Sequence, residues 1–268
     1  ISTSLILDNS NLILTTESAT KIYPSKKEYG IQKIDIVLEN NSNLEFINDE
    51  LILFKDSKYI QFFNLKSDEN STFFYTDILS RGRSFENFDF SNMKIKNRFY
   101  CEKSLEYMEK FDILGDELKD YIIRKSSENF IFAKFYIKTK NNEDFINTIH
   151  KSGFESFSFS QNKKIIIGVI SSNNMGDLKS KIMNIWKIYR SNINKKEFVL
   201  KMRENNIGLQ LHYIPINKQP YYKDLGYGDE NTPLMDEYYK KAISLPIYPN
   251  LTHEEQNYVC EKILEILK

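Results

Sequence analysis

Hydrophobic and polar positions along this chain fall into two textures that meet near residue 193. Before that point, strand-like apolar runs are punctuated by polar turns of Asn, Ser and Asp. Three stretches share one rhythm: residues 5–14, 36–46 and 62–74 each read as a strand, a polar turn and a second strand. Ser10, Ser42 and Ser71 mark the turns at intervals of roughly 30 residues, the range of stacked β units. Asn and Asp suit such turns because they tolerate left-handed backbone and bond to their own main chain. Alternation over Lys33, Ile34, Asp35, Ile36, Val37 and Leu38 fits half-buried strands. Residues 1–80 are therefore expected to form antiparallel strands packed in layers.

The pattern then becomes mixed. Residues 104–114 are ambiguous, since Leu105, Tyr107 and Phe111 are spaced for strand or helix. Residues 117–126 and 144–151 read as short helices, the second with an apolar stripe of Phe145, Ile146 and Ile149. Residues 129–139, rich in Phe, Ile and Tyr, and 164–170 read as strands. Residues 174–191 predict a helix, with Leu178, Ile182, Ile185 and Tyr189 at three- and four-residue spacing and Asn173 or Asn174 as its cap. Beyond the break, residues 195–205 are helical in spacing and Gly208 is expected to cap that helix. Residues 209–213 read as a short strand, and 236–243 and 253–267 as helices. Thr252 and Glu255 supply a capping box for the last of these. The expected class is α+β: a β-rich layered antiparallel body with a few helices over residues 1–192, then a small α/β segment over 193–268.

Composition narrows the function. Thirty-seven basic residues balance 37 acidic ones, which predicts no general attraction to nucleic acid or to an anionic membrane. Runs such as Lys138, Thr139, Lys140, Asn141 and Asn142 read as solvated surface. The two cysteines, Cys101 and Cys260, are far apart. They fit reduced thiols and a cytoplasmic location better than a disulfide framework. No apolar run reaches the roughly 18 residues a membrane helix needs. The chain opens on Ile1, already within strand-like sequence, so a preceding piece is expected.

Several separated motifs in the first part resemble one family. Leu14, Thr15, Thr16, Glu17, Ser18, Ala19, Thr20, Lys21, Ile22 and Tyr23 look like the "TT-x-x-A-T-K-x-Y" signature of the urease accessory protein D (UreD/UreH) family. The stretch from Asp77 to Gly82 and Arg83 resembles its "D-x-x-x-x-G-R" segment. Asn97 and Arg98, Met108 to Lys110, and the helix carrying Trp186 and Arg190 follow in matching order. The resemblance covers residues 1–192 and implies a β-rich, non-catalytic scaffold. Such a scaffold assists nickel delivery to apo-urease together with the accessory GTPase and its partner protein. The family's glycine-rich "G-G-x-x-x-G-D" segment would precede Ile1.

For metal chemistry this part offers one histidine, His150, and one cysteine, Cys101, with no close spacing. A tightly bound centre is not expected. Transient passage of hydrated nickel needs only scattered carboxylates, and Asp77 and Glu109 match acidic family positions. Against this, Asp77 reads equally as a turn residue, Glu109 as an exposed charge and Arg83 as a loop anchor. Thr15, Thr16 and Lys21 read as structural, and Tyr23 before Pro24 as an extended exit from a strand.

The second part resembles something else. Gly208, Leu209, Gln210, Leu211, His212, Tyr213, Ile214 and Pro215, followed by Gln219, Pro220, Tyr221 and Tyr222, look like the C-terminal end of DegT/DnrJ/EryC1/StrS sugar aminotransferases. The resemblance covers residues 194–268. It maps His212, Tyr213, Pro215 and Gln219 to an active-site loop of that family's small domain, with Asn217 where a second histidine often stands. His253, Tyr221 and Tyr222 read as helix-start and packing residues. Aminotransfer needs a lysine Schiff base, an acidic partner for the pyridine nitrogen and a phosphate cup for pyridoxal phosphate. No part of the chain resembles the large domain that carries them, so an enzyme is not expected. The expectation is a urease accessory scaffold with an aminotransferase-derived tail, by recombination, truncation or a misjoined frame. The alternatives are a pyridoxal-phosphate aminotransferase fragment and a β-rich interaction module with no metal role.

Overall fold

A computed structural model describes residues 1–82, 85–124, 131–190, 195–211, 214–228, 230 and 232–267. Contacts divide the chain into two units, Ile1–Arg190 and Ser191–Lys268.

The first unit is two facing sheets, with two of its three helices packed against the outside of one sheet. Its elements run β1 (Ser2–Asp8), β2 (Asn11–Thr15), β3 (Thr20–Ile22), β4 (Gly30–Glu39), β5 (Asn43–Leu53), β6 (Lys58–Ser67), β7 (Thr72–Ser80), β8 (Asn92–Cys101) and β9 (Ser104–Ile113). Then come α1 (Gly115–Arg124), β10 (Ile131–Lys138), α2 (Asn142–Lys151), β11 (Phe157–Phe159), β12 (Ile166–Ser172) and α3 (Met175–Arg190). One sheet has the order β1-β4-β6-β8-β9 and the other β11-β12-β10-β7-β5-β2, with β3 also on β5.

The early strands are parallel, not antiparallel as expected. β1, β4, β6 and β8 pair in parallel in one sheet, and β2, β5 and β7 in the other. The physical reason lies in the polar turns. Each hands the chain from one sheet to the other instead of folding a strand back on its neighbour. Strands of one sheet therefore come from successive coils and run the same way. The serine interval is the pitch of this winding. Ser42 Oγ accepts from Ser10 N at 3.2 Å and Ser71 Oγ accepts from Ser42 N at 3.0 Å. Asn9, Asn40 and Asn41 take left-handed backbone, with φ of 43°, 53° and 62°, as Asn does readily. Antiparallel pairing enters only later, at β8–β9, β7–β10, β10–β12 and β11–β12.

Alternation decides which face each strand buries. Ile34, Ile36, Leu38, Phe63, Leu65 and Phe99 of one sheet meet Leu44, Phe46, Phe73, Tyr75 and Tyr136 of the other. β7 and β10 are buried on both faces. Their outward residues, among them Phe74, Ile78, Ala133 and Phe135, lie under Phe145 and Ile149 of α2 and Leu178, Ile182 and Ile185 of α3. Asn174 caps α3, its Oδ1 accepting from Asp177 N at 3.2 Å. Residues 104–113, ambiguous by spacing, are strand.

The second unit contains α4 (Lys195–Glu204), β13 (Gln210–Leu211), α5 (Pro220–Asp224), α6 (Pro233–Lys241), β14 (Ile243–Ser244) and α7 (His253–Leu267). β13 and β14 pair antiparallel. Phe198, Met202 and Ile207 form its small core with Leu209, Ile243, Val259, Ile263 and Ile266. The capping box forms as read: Thr252 Oγ1 accepts from Glu255 N at 3.2 Å, and Glu255 Oε2 accepts from Thr252 N at 2.9 Å. Gly208 is not the left-handed cap of α4. Asn206 takes that role at φ 59°. Among the described residues, no helix is long and apolar enough to cross a membrane.

Candidate functional site

Every second side chain of β6 and β8 points between the sheets. Most of these are apolar, but Gln61 and Asn97 are buried polar exceptions. From the facing sheet, β7 sends in Tyr75 and Asp77, and β10 sends in Lys134 and Tyr136. Lys134 sits opposite Asp77 in the β7–β10 register, and Glu109 opposite Asn97 in the β8–β9 register. Topology thus brings five strands' polar residues to one interior place.

They form a connected network. Asp77 Oδ2 accepts from Asn97 Nδ2 at 3.0 Å and from Gln61 Nε2 at 3.2 Å. Asp77 Oδ1 accepts from the Tyr75 hydroxyl. Gln61 Nε2 also donates to Asn97 Oδ1 at 3.1 Å. The Tyr59 hydroxyl reaches Gln32 Oε1 at 2.5 Å and Gln61 Oε1 at 3.1 Å. Asn97 Nδ2 lies 3.3 Å from the Tyr136 oxygen. That hydroxyl donates to Glu109 Oε2 at 2.6 Å, while Lys134 Nζ meets Glu109 Oε1 at 2.6 Å.

A cavity of about 400 Å³ opens beside this network, with Asp77, Gln61, Glu109 and Lys134 in its wall. The rest of the wall is mainly apolar, including Ile95, Phe111, Ile122 and Phe132. Burial pushes the Asp77 carboxyl above its usual range, against the hydrogen bonds from Tyr75, Gln61 and Asn97 and the Lys134 charge. Burial also holds the Tyr75 and Tyr136 phenols well above their ordinary value, helped by the Asp77 charge at Tyr75 and by Glu109 at Tyr136. These phenols therefore stay protonated and act as donors.

Of the expected site residues, Asp77, Asn97 and Glu109 come together. Asp77 is no turn residue: it lies in β7 and bonds side chains. Glu109 is no exposed charge, since its side chain is 19% accessible and ion-paired. Thr16 lines the same cavity, and its Oγ1 accepts from Asp49 N at 2.7 Å, fixing the irregularity of β5 between Ile47 and Glu50. Thr15, Lys21 and Tyr23 are exposed, and Arg98 is half-buried on the outer face of β8. Tyr23 stacks edge-on against Phe54 at 5.0 Å. Gly82 has φ +121°, and an added Cβ would meet Glu86 Cβ at 2.8 Å, which gives a steric reason for glycine. Arg83, His212 and Tyr213 lie outside the described residues. Pro215 is buried and precedes a single 3₁₀ turn, Ile216–Lys218. Gln219 Nε2 donates to Ile214 O at 3.2 Å.

Gln61, Tyr75, Tyr136 and Lys134 were not singled out from sequence. The available signal was polarity at inward positions of alternating strands: Gln61 in Tyr59, Gln61, Phe63 and Leu65, and Asn97 in Met93, Ile95, Asn97 and Phe99. The donor set is hard oxygen, from two carboxylates and two amides. Among the described residues, no group of three or more His, Cys, Asp or Glu is placed to hold a metal. His150 Nε2 is bound to Phe157 O at 2.8 Å, and Cys101 lies 3.6 Å from Lys138 Nζ. Neither lines the cavity.

Two family models match. The UreD urease accessory protein model covers residues 6–204. The DegT/DnrJ/EryC1/StrS aminotransferase model covers residues 169–264, overlapping the first. The urease accessory protein UreD of Aliarcobacter butzleri is 78% identical over 200 residues, which is 75% of this chain and 80% of that protein. That of Staphylococcus epidermidis is 31% identical over 148 residues, 53% of this chain and 52% of that protein. The spore coat polysaccharide biosynthesis protein SpsC of Bacillus subtilis is 32% identical over 92 residues, 31% of this chain and 24% of that protein. The chain therefore spans most of the first relative, about half of the second and a quarter of the third. The aminotransferase likeness is confined to the C-terminal third, whereas the UreD model takes in nearly all of the two-sheet body and its polar cavity: the chain belongs to the UreD urease accessory protein family.

Proposed function

We propose that this chain is a non-catalytic urease accessory scaffold that gives a nickel cation a polar interior route on its way to apo-urease. The observation that carries this reading is Asp77. A half-buried carboxylate, held mainly by neutral donors on the wall of a largely apolar cavity, costs stability. A purely structural role would be served by an uncharged side chain. Nickel is cargo here: Asp77 and Glu109 would offer anionic oxygen, Gln61 and Asn97 amide oxygen, and water the remaining contacts. Tyr75 and Tyr136, held protonated, keep both carboxylates oriented toward the cavity.

The partners proposed are apo-urease, the accessory GTPase and that GTPase's partner protein, in the cytoplasm. The C-terminal unit is read as an aminotransferase-derived tail with no pyridoxal phosphate chemistry of its own. The test is retention of apo-urease on the immobilised full chain, with and without the two accessory proteins. Retention is expected; no retained urease under any combination would overturn the scaffold reading. The rival reading, an aminotransferase fragment, rests on the match over residues 169–264. It predicts a pyridoxal phosphate absorbance that borohydride reduces, and none is expected.

A further inference from the structure

We propose that Lys134 is a built-in competitor of the transported cation, an internal ammonium that occupies the carboxylate site until a divalent cation displaces it. The inference rests on the transit reading above and assigns that site its control element.

Four observations carry it. Lys134 Nζ lies 2.6 Å from Glu109 Oε1, with its other charged neighbour, Asp77, directly across the β7–β10 ladder. All three side chains line the same cavity. The Lys134 side chain is 30% accessible, so its flexible stem has room to swing away from Glu109. In that same position its ammonium sits 4.4 Å from the Phe111 ring centroid on the cavity wall, a second contact that favours a cation there.

Charge balance then sets the order of events. Asp49, also in the wall, is paired with Lys179 at 2.8 Å, so with Asp77 and Glu109 ionised and Lys134 inward the remaining wall carries one net negative charge. A divalent cation added on top leaves one net positive charge in a poorly solvated space. The same cation entering as Lys134 leaves gives neutrality. Exchange is therefore favoured over simple addition, and once the cation moves on, the ammonium can return to Glu109. Such a device lets the site accept a cation without trapping it.

The experiment is equilibrium dialysis of the full chain against Ni²⁺ alone, for wild type, Lys134→Met, Lys134→Gln, Asp77→Asn and the Lys134→Met/Asp77→Asn pair. Thermal melts show that each variant is folded, and Lys134→Gln keeps the test open should Lys134→Met fail to fold. Removing a like charge a few ångströms away is worth about one to three powers of ten. Weak binding by wild type is expected, about tenfold or more tighter in either lysine variant, with the gain abolished by Asp77→Asn. Equal affinity in wild type and both lysine variants, still sensitive to Asp77→Asn, overturns the competitor role and leaves the transit reading standing. Binding that ignores Asp77→Asn in every background, or no binding by any variant, overturns both.

Discussion

Asn97→Ala isolates the hydrogen bonding that keeps Asp77 ionised inside the protein. Asn97 is fully buried and makes three contacts: to Asp77 Oδ2 at 3.0 Å, from Gln61 Nε2 at 3.1 Å, and to the Tyr136 oxygen at 3.3 Å. The bond to a charged acceptor is worth about 1.5–3 kcal/mol and a neutral one about 0.5–1.5 kcal/mol. Water from the adjoining cavity can replace part of this, since the site is polar and roomy. A net loss of about 2–3 kcal/mol at pH 8 follows. For a unit of this size that is a fall in melting temperature of about 4–12 °C. The loss depends on pH with a definite sign. The native Asp77 value is already raised by burial, and Asn97 is one of the groups lowering it. Its removal raises the native value further. Wild type and variant then diverge as pH climbs from the wild-type native value to the variant's, and the gap stays constant above that. Urea titrations followed by circular dichroism between pH 5 and pH 9 read this directly. A loss below about 0.5 kcal/mol, or one that shrinks as pH rises, would refute the reasoning.

Three other perturbations follow. Asp77→Asn removes a carboxylate whose native value is raised, so wild type should lose stability relative to the variant as pH rises from the ordinary carboxylate range through that native value. A wild-type advantage that grows with pH in denaturant titrations would contradict this. Gly115→Ala places a Cβ 1.9 Å from Phe88 O and 2.5 Å from Phe90 O at the start of α1. It should cost about 1–3 kcal/mol in thermal unfolding, and an unchanged melt would show that the backbone there yields. Thr252→Ala breaks the capping box of α7 and should lower helix stability by about 0.5–2 kcal/mol. Amide exchange should speed up in α7 while the α3 amides keep their protection; faster exchange at α3 would contradict a local role.

The strands were legible in the sequence because alternation is a local signal, but their direction was not. Residues 33–38 alternate identically in parallel and antiparallel sheets. The repeat of Ser10, Ser42 and Ser71 carried the missing information, since a fixed interval spanning two strands is the pitch of a winding, not of a meander. Residues 104–113 were ambiguous because Leu105, Tyr107 and Phe111 fit both periods, and pairing with β8 decides for strand. Asp77 and Glu109 were reached through family motifs. Lys134 and Tyr136 escaped because they sit among strong β-formers, where only the partner strand reveals which face is polar. Thr252 was readable because a capping box is complete within four residues of sequence. Gly208 misled because Asn206, two residues earlier, already supplies the left-handed cap.

An interior carboxylate on the cavity wall is proposed to serve the passage of nickel. The direct measurement is the nickel content of urease matured with either the wild-type chain or Asp77→Asn, after both chains are shown to hold the same amount of urease. Equal retention and a clear fall in urease-bound nickel with Asp77→Asn are expected. Equal nickel loading by the two chains at equal retention would contradict the proposal.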